Sequence, residues 1–207
     1  MSDVSTTEIL TVDAAARARR SIRSYRPEPI PASELATILE VVRLAPSAFN
    51  LQPWRFVTVE SPEVREALTA AAHNQRQVRS APLVLVLYTD MQDTLATLDR
   101  VVHPNMPIER QAEVQAYIRN AFAGKSEAER EAWGAEQGFI ALGYLLLTAE
   151  AHGYQTSPMA GFDAESVKRL LGLPTHVRVV ALVAIGRGAE SGFPHHRIPL
   201  EQLMRVA

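Results

Sequence analysis

The stretch from Glu131 to Ala151 reads as one long helix. Ile140, Leu142, Tyr144, Leu145, Leu146 and Leu147 make it apolar around much of its circumference. A helix of that kind has to be buried, within a core or between subunits. Gly134, Gly138 and Ala141 form a strip of small residues at roughly helical spacing. An internal glycine costs about 1 kcal/mol relative to alanine, so the strip predicts close approach by another element as compensation. Gly153 suits the C-terminal cap. The chain must therefore supply surfaces that cover this helix. The runs Leu83 to Tyr88 and Val177 to Ile185 are apolar almost without interruption and read as central strands.

The remaining elements follow from local chemistry. Val12 to Arg20 is rich in alanine and arginine, with Thr11 as N-cap. Glu34 to Ala45 places Leu35, Ile38, Leu39 and Val42 on one helical face and stops at Pro46. Phe56 to Val59 reads as a strand. Ser61-Pro62 opens a helix through about Ala72, with proline at its first position, and His73 to Arg79 is polar. Met91 to Arg100 and Glu109 to Ala123 read as helices on either side of a loop containing His103. Together they predict a mobile helical cover at about 90–130. Tyr154 to Phe162 has strand character and then turns. Asp163 or Ser166 caps a helix to Leu171, closed by Gly172 and Pro174. A short helical pattern ends the chain from Leu200 to Val206.

Strands separated by helices, without simple alternation and without a glycine-rich phosphate loop after the first strand, argue against a dinucleotide-binding fold. An α+β sandwich, with helices on a mostly antiparallel or mixed sheet, accounts for the order better. The chain reads as one domain over 1–207, without repeats or a low-complexity linker. With no cysteine, it has no disulfide, thiol nucleophile or thiolate metal site. Lys and Arg number 21 against 23 Asp and Glu, which implies no broad surface for a polyanion. Met1 to Thr11 is polar and lacks a signal-peptide core, and no apolar run is long enough to span a bilayer. These features predict a cytoplasmic protein. His103 has no metal-ligand partner at useful spacing, and no His–Asp or carboxylate pair stands out.

Two clusters remain. Arg17, Arg19, Arg20, Arg23 and Arg26 form the densest positive group. Ser21 and Arg23 alternate so that an extended segment points both the same way. Guanidinium and hydroxyl groups suit a phosphate monoester, and a solvated charge run is the plainer reading. The second cluster, Pro46 to Phe56, is a proline-bounded polar loop between a helix and a strand, carrying Asn50 and Gln52.

Taken together, Arg19 to Tyr25, Ala45 to Trp54, and Pro158-Met159-Ala160-Gly161-Phe162 with Arg197 beyond the last strand resemble the FMN-dependent nitroreductase family. The resemblance covers nearly the whole chain. It implies a three-layer sandwich with a mostly antiparallel central sheet flanked by helices. It also implies FMN bound at the interface of a homodimer, with NADH or NADPH as co-substrate. Under it, Arg19, Ser21 and Arg23 correspond to the segment that holds the ribityl phosphate and ring edge. Arg20 is their neighbour. Arg197 closes the phosphate site, and His195 stands where relatives often carry another basic residue. Pro46, Ser47 and Asn50 correspond to a loop reaching over the flavin from the second subunit, with Gln52 as an added polar contact. Pro158, Ala160 and Gly161 form the turn whose peptide N–H faces flavin N5. Relatives often have glutamate at the place of Ala160, so the donor is kept and a carboxylate is lost.

Trp54 and Phe56 read as core or interface anchors rather than flavin-stacking rings. Tyr117 and Phe122 are candidates for the open flavin face, with ordinary packing as the alternative. The implied activity is ping-pong reduction of nitroaromatics, quinones or related acceptors. A specialised reaction on the same fold (dehalogenation, enone reduction, flavin fragmentation or dehydrogenation) is one alternative, and a non-catalytic flavin-binding module is another.

Overall fold

The computed structural model describes residues 9–206. Most of the polar start Met1 to Thr11 therefore lies outside the described residues. Strands β1 (Trp54–Val59), β2 (Leu83–Thr89), β3 (Gln155–Met159) and β4 (Arg178–Gly186) form one sheet in the order β1-β2-β4-β3. Every neighbouring pair is antiparallel. The mixed alternative is therefore not realised among these strands. Around the sheet lie α1 (Val12–Ala18), α2 (Ala32–Val42), α3 (Pro62–Ala71), α4 (Arg76–Ser80), α5 (Met91–Ala96), α6 (Ile108–Ala123), α7 (Glu127–Ala151), α8 (Ala164–Leu171) and α9 (Leu200–Leu203).

The sheet separates two hydrophobic layers. Leu85, Leu87, Val183 and Ile185 face α2 and α7 and pack with Ile38, Val42, Leu142 and Leu145. Val84, Val86, Leu182 and Ala184 point the other way, onto Leu68, Val78 and Val167 from α3, α4 and α8. This is the period-2 alternation of a strand, with both faces covered. Trp54 sits in the first layer at 6% exposure as a core residue, and Phe56, partly buried, packs against that layer.

The long helix begins one turn earlier than its apolar pattern. Ser126 accepts the Glu129 N–H while the Glu129 carboxylate accepts the Ser126 N–H, a reciprocal capping box. Its glycine strip meets the sheet directly. A Cβ on Gly138 would lie 2.9 Å from Val180 Cγ2 and 3.0 Å from Thr89 Cγ2. The reason is a bulge in β4. Leu87 pairs with Ala181 and Tyr88 with Val179, which leaves Val180 as an extra residue. The bulge turns Val180 and Ala181 to the same side, toward α7.

Elsewhere Asp163 accepts the N–H groups of Glu165 and Ser166 and is the cap of α8, and Gly172 closes that helix at φ 63°. The polar run after α3 forms a helix, α4, which its composition did not announce. Its Val78 and Gln77 are buried, so tertiary packing overrides weak local signals there.

Candidate functional site

The segment after α1 is extended and lies along the edge of the sheet. The Ile22 N–H donates to the Thr156 carbonyl, and Ser21 bridges Thr156 in parallel. Tyr25 bridges Gly188, and its buried hydroxyl donates to the Ala184 carbonyl at 3.1 Å. Two anchored aromatic or aliphatic side chains, Ile22 and Tyr25, thus place Arg19, Arg20, Ser21 and Arg23 beside β3.

The basic residues converge there. His195 Nε2 lies 2.8 Å from the Arg19 carbonyl and 2.9 Å from Arg20 Nη1. One ring nitrogen cannot both donate to the carbonyl and accept from the guanidinium, so the two contacts are mutually exclusive. Arg20 Nη1 also donates to the carbonyls of Arg17, Ala18 and Arg19, closing the end of α1. Burial pushes the Arg19 pKa down, Glu150 opposes this, and the like charges of Arg197 and Arg20 add to the lowering. Arg19 Nη1 is buried with no hydrogen-bond acceptor. Glu150 is itself 6% exposed. Burial raises its pKa, and a hydrogen bond from Gln155 and the charges of Arg19 and Arg20 resist the change. One buried carboxylate thus faces several arginines, which leaves the group with an excess of positive charge. Arg23 is clamped through its backbone. Its N–H donates to Glu190 Oε1 at 2.7 Å, and its carbonyl accepts from Arg76 Nε at 3.1 Å.

At the end of β3, Pro158 leads into Ala160 and Gly161, both exposed. Neither of their N–H groups has a protein acceptor among the described residues. Gly161 keeps a negative φ, and a Cβ there would meet nothing within 4 Å. Open space beside it, rather than backbone conformation, is what the turn offers. Gln75 Nε2 donates to the Gly161 carbonyl at 2.8 Å and so orients the turn. Sequence reading missed Gln75, Glu150 and Glu190, because each acts across the fold. The available signal for a tight turn before Gln75 was Asn74, a residue type that tolerates the positive φ that both His73 and Asn74 adopt.

The loop from Pro46 to Gln52 is a separate constellation. The Gln52 N–H donates to Ser47 Oγ at 2.9 Å, and the Ala48 N–H donates to Gln137 Oε1 on α7 at 3.0 Å. Asn50 Nδ2 donates to the Val101 carbonyl at 2.9 Å. Phe49, Asn50 and Gln52 all adopt positive φ, a left-handed kink that asparagine tolerates better than phenylalanine or glutamine does. Leu51 holds the loop down, buried with Met91, Leu98, Ile118 and Phe122 under α5 and α6. Among the described residues, no hydrogen bond joins this loop to Arg19–Arg23 or to Ala160–Gly161. Phe122 is 3% exposed and meets Trp133 edge-on, so it is a core residue rather than an open aromatic. Tyr117 is 65% exposed and meets Phe49 edge-on at 5.8 Å.

A cavity of about 650 Å³ opens beside Ala160, lined by Phe139 and Ala135 of α7, Lys168 of α8, Val179 and Val180 of β4, and also by Glu131 and His176. The sequence displayed no His–Asp pair, yet the fold makes one. His176 Nε2 lies 3.1 Å from Asp90 Oδ1.

With this geometry in view, comparison with known proteins decides the family. The sequence model of the nitroreductase family matches residues 16–187. The chain belongs to the nitroreductase family. A protein of Thermus thermophilus named NADH dehydrogenase is 49% identical over 96% of this chain and 97% of its own length. YdgI of Bacillus subtilis, named as an NAD(P)H nitroreductase, is 35% identical over 90% of this chain and 93% of its own. Among solved structures, a nitroreductase from Exiguobacterium sibiricum in complex with FMN superposes with a TM-score of 0.88 at 28% identity. It covers 98% of this chain, and this chain covers all of it (100%). The family's α+β sandwich is thus the fold of this chain. Among the described residues, no helix is long and apolar enough to cross a membrane.

Proposed function

We propose that this protein is an FMN-dependent oxidoreductase that uses NADH or NADPH to reduce nitroaromatics, quinones or related acceptors. The observation that carries the reading is the positive group around Arg19, placed by the Ser21–Thr156 bridge on the same edge of the sheet as the turn with two free N–H groups. The donors fit FMN. A half-buried guanidinium whose Nη1 is buried without an acceptor, beside further arginines, suits a dianion such as a phosphate monoester. Arg19, Arg23 and Arg197 would hold the phosphate and ribityl end, with Ser21 offering its hydroxyl. His195, engaged with Arg19 and Arg20, would be a weaker partner. The N–H groups of Ala160 and Gly161, braced by Gln75, would orient the ring. When bound, FMN supplies the two-electron chemistry of hydride transfer at N5. The chain's own contribution is to anchor the phosphate, fix the ring edge and leave the space beside Ala160 open to nicotinamide and acceptor in turn. Ping-pong kinetics follow from that shared space.

The reading includes a homodimer in which Pro46, Ser47, Asn50 and Gln52 cover the flavin of the other subunit. Exposed apolar side chains support it: Phe139, Ile140 and Tyr144 on α7, Leu44 after α2, and Phe193 and Leu203 in the tail. Large apolar side chains left exposed on these elements are the kind of surface a second subunit covers. A cytoplasmic location fits the need for reduced nicotinamide.

The test is direct. The purified protein should be yellow and release FMN on denaturation. NADH or NADPH should bleach that flavin under anaerobic conditions, and menadione or nitrofurazone should restore its colour. Flavin that is absent, or that neither nicotinamide bleaches, would refute the reading. Bleached flavin that only oxygen restores would instead assign the chain to a specialised acceptor.

A further inference from the structure

Asp90, Glu131 and His176 come from three separate parts of the fold. Asp90 caps α5 directly after β2, Glu131 lies in the second turn of α7, and His176 precedes β4. One ligand atom from each lies within 4.8 Å of the other two. Glu131 is 4% exposed. Its Oε1 accepts the Met91 N–H at 2.8 Å, the Gln92 N–H also faces the carboxylate, and its Oε2 is buried without a hydrogen-bond partner of its own. A fully buried carboxylate oxygen without a donor carries a large desolvation cost. Either a proton, favoured because burial pushes the Glu131 pKa up to about 7, or a bound cation would relieve that cost.

We propose that these three side chains form a binding site for one divalent first-row metal ion, of which Zn²⁺ is the representative. The chemistry selects that class. One imidazole nitrogen with two carboxylate oxygens suits Zn²⁺ and its neighbours, whereas Mg²⁺ and Ca²⁺ prefer oxygen alone. Two carboxylates balance a dication, so the buried group becomes neutral on loading. The separation of 3.1 Å between His176 Nε2 and Asp90 Oδ1 falls in the range spanned by two ligands each about 2.0–2.2 Å from one ion. Both carboxylates are already aimed. Backbone N–H groups hold one oxygen of each, Met91 for Glu131 and Asp93 for Asp90, which is the support that ordered metal sites require. Glu131 and His176 line the cavity beside Ala160, which gives the ion an entry path and a water for the fourth position. Loading the site ties β2, α7 and the start of β4 together at one wall of that cavity. The inference does not depend on flavin binding.

The experiment uses the full chain, stripped with a chelator and then freed of it. Titration with Zn²⁺ should show one tight site per chain and raise the melting temperature. Co²⁺ should give visible absorption of a four- or five-coordinate nitrogen–oxygen site. Glu131→Gln keeps an oxygen for the Met91 N–H while weakening the ligand, and His176→Gln removes the imidazole. Each should lower Zn²⁺ affinity at least a hundredfold with circular dichroism unchanged, whereas His103→Ala in the exposed loop should leave it intact. If one variant fails to fold, the other decides. No Zn²⁺ binding to the wild type, or binding that survives both substitutions, would overturn the proposal and assign any bound zinc to exposed histidines such as His195 and His196.

Discussion

Gly138 offers a stringent test of how the long helix is seated. Replacing a helix-interior glycine by alanine contributes about 1 kcal/mol when nothing opposes it. At Gly138 the new methyl would stand 2.9 Å from Val180 and 3.0 Å from Thr89, closer than carbon atoms normally approach. Both neighbours are β-branched and buried, Thr89 paired with Arg178 and Val180 held in the bulge of β4, so neither can swing aside. Overpacking of this kind costs about 1–3 kcal/mol. The net expectation for Gly138→Ala is a loss of roughly 0–2 kcal/mol, despite the better helix former.

Gly124, which ends α6, is the matched control. Its φ is −86°, and a Cβ there meets nothing within 4 Å. Gly124→Ala should stabilise by about 0.4–1 kcal/mol through the unfolded chain. Urea denaturation followed by circular dichroism on the two variants measures the difference. Gly138→Ala as stabilising as Gly124→Ala would mean that α7 does not lie against the Val180 bulge. The cavity wall beside Ala160 would then be wrongly drawn.

Arg197→Ala should weaken FMN retention about tenfold, the lower end for a charge-assisted hydrogen bond because Arg197 is exposed. Equilibrium dialysis measures it, and unchanged affinity would remove Arg197 from the phosphate site. Gln75→Ala, which frees the Gly161 carbonyl, should lower turnover roughly 2–10-fold with little change in FMN affinity. Equal losses in both would mean that Gln75 serves folding alone. The Tyr154 hydroxyl donates to Glu34, and burial first and Glu34 second push its pKa up to about 12. Because the folded state prefers the protonated phenol, this stabilisation is whole below pH 10 and fades as pH rises toward 12. Tyr154→Phe should therefore be less stable than the wild type at pH 8, and the gap should close between pH 10 and 12. A constant gap would refute the shift.

Much of the fold was legible because its signals are local. Proline at the start of α3 and the Asp163 cap begin helices, and Gly172 ends one, through local side-chain and backbone chemistry. The apolar runs of β2 and β4 announced strands buried on both faces. The glycine strip of α7 announced a close approach, although not that the partner would be a bulge in the sheet. The arginine segment and the Ala160-Gly161 turn were recognisable from residue types in order. What was not legible depends on distant pairs. Phe122 has the composition of an accessible aromatic, and only the packing of α6 over Leu51 and Trp133 buries it. Arg20 resembles its neighbours, yet its guanidinium is engaged by the carbonyls that end α1.

The sequence by itself determined most of the helices and strands, many of their caps, and which of their faces are apolar. These depend on capping, on side-chain periodicity and on residue type within a few positions. Only the tertiary structure decided what meets what. It set Glu150 beside Arg19, Gln75 under Gly161, and His176 against Asp90, the last pair 86 residues apart. No periodicity encodes such pairings. They follow from strand order and from the angle at which α7 crosses the sheet, and both are settled by burying the whole apolar surface at once.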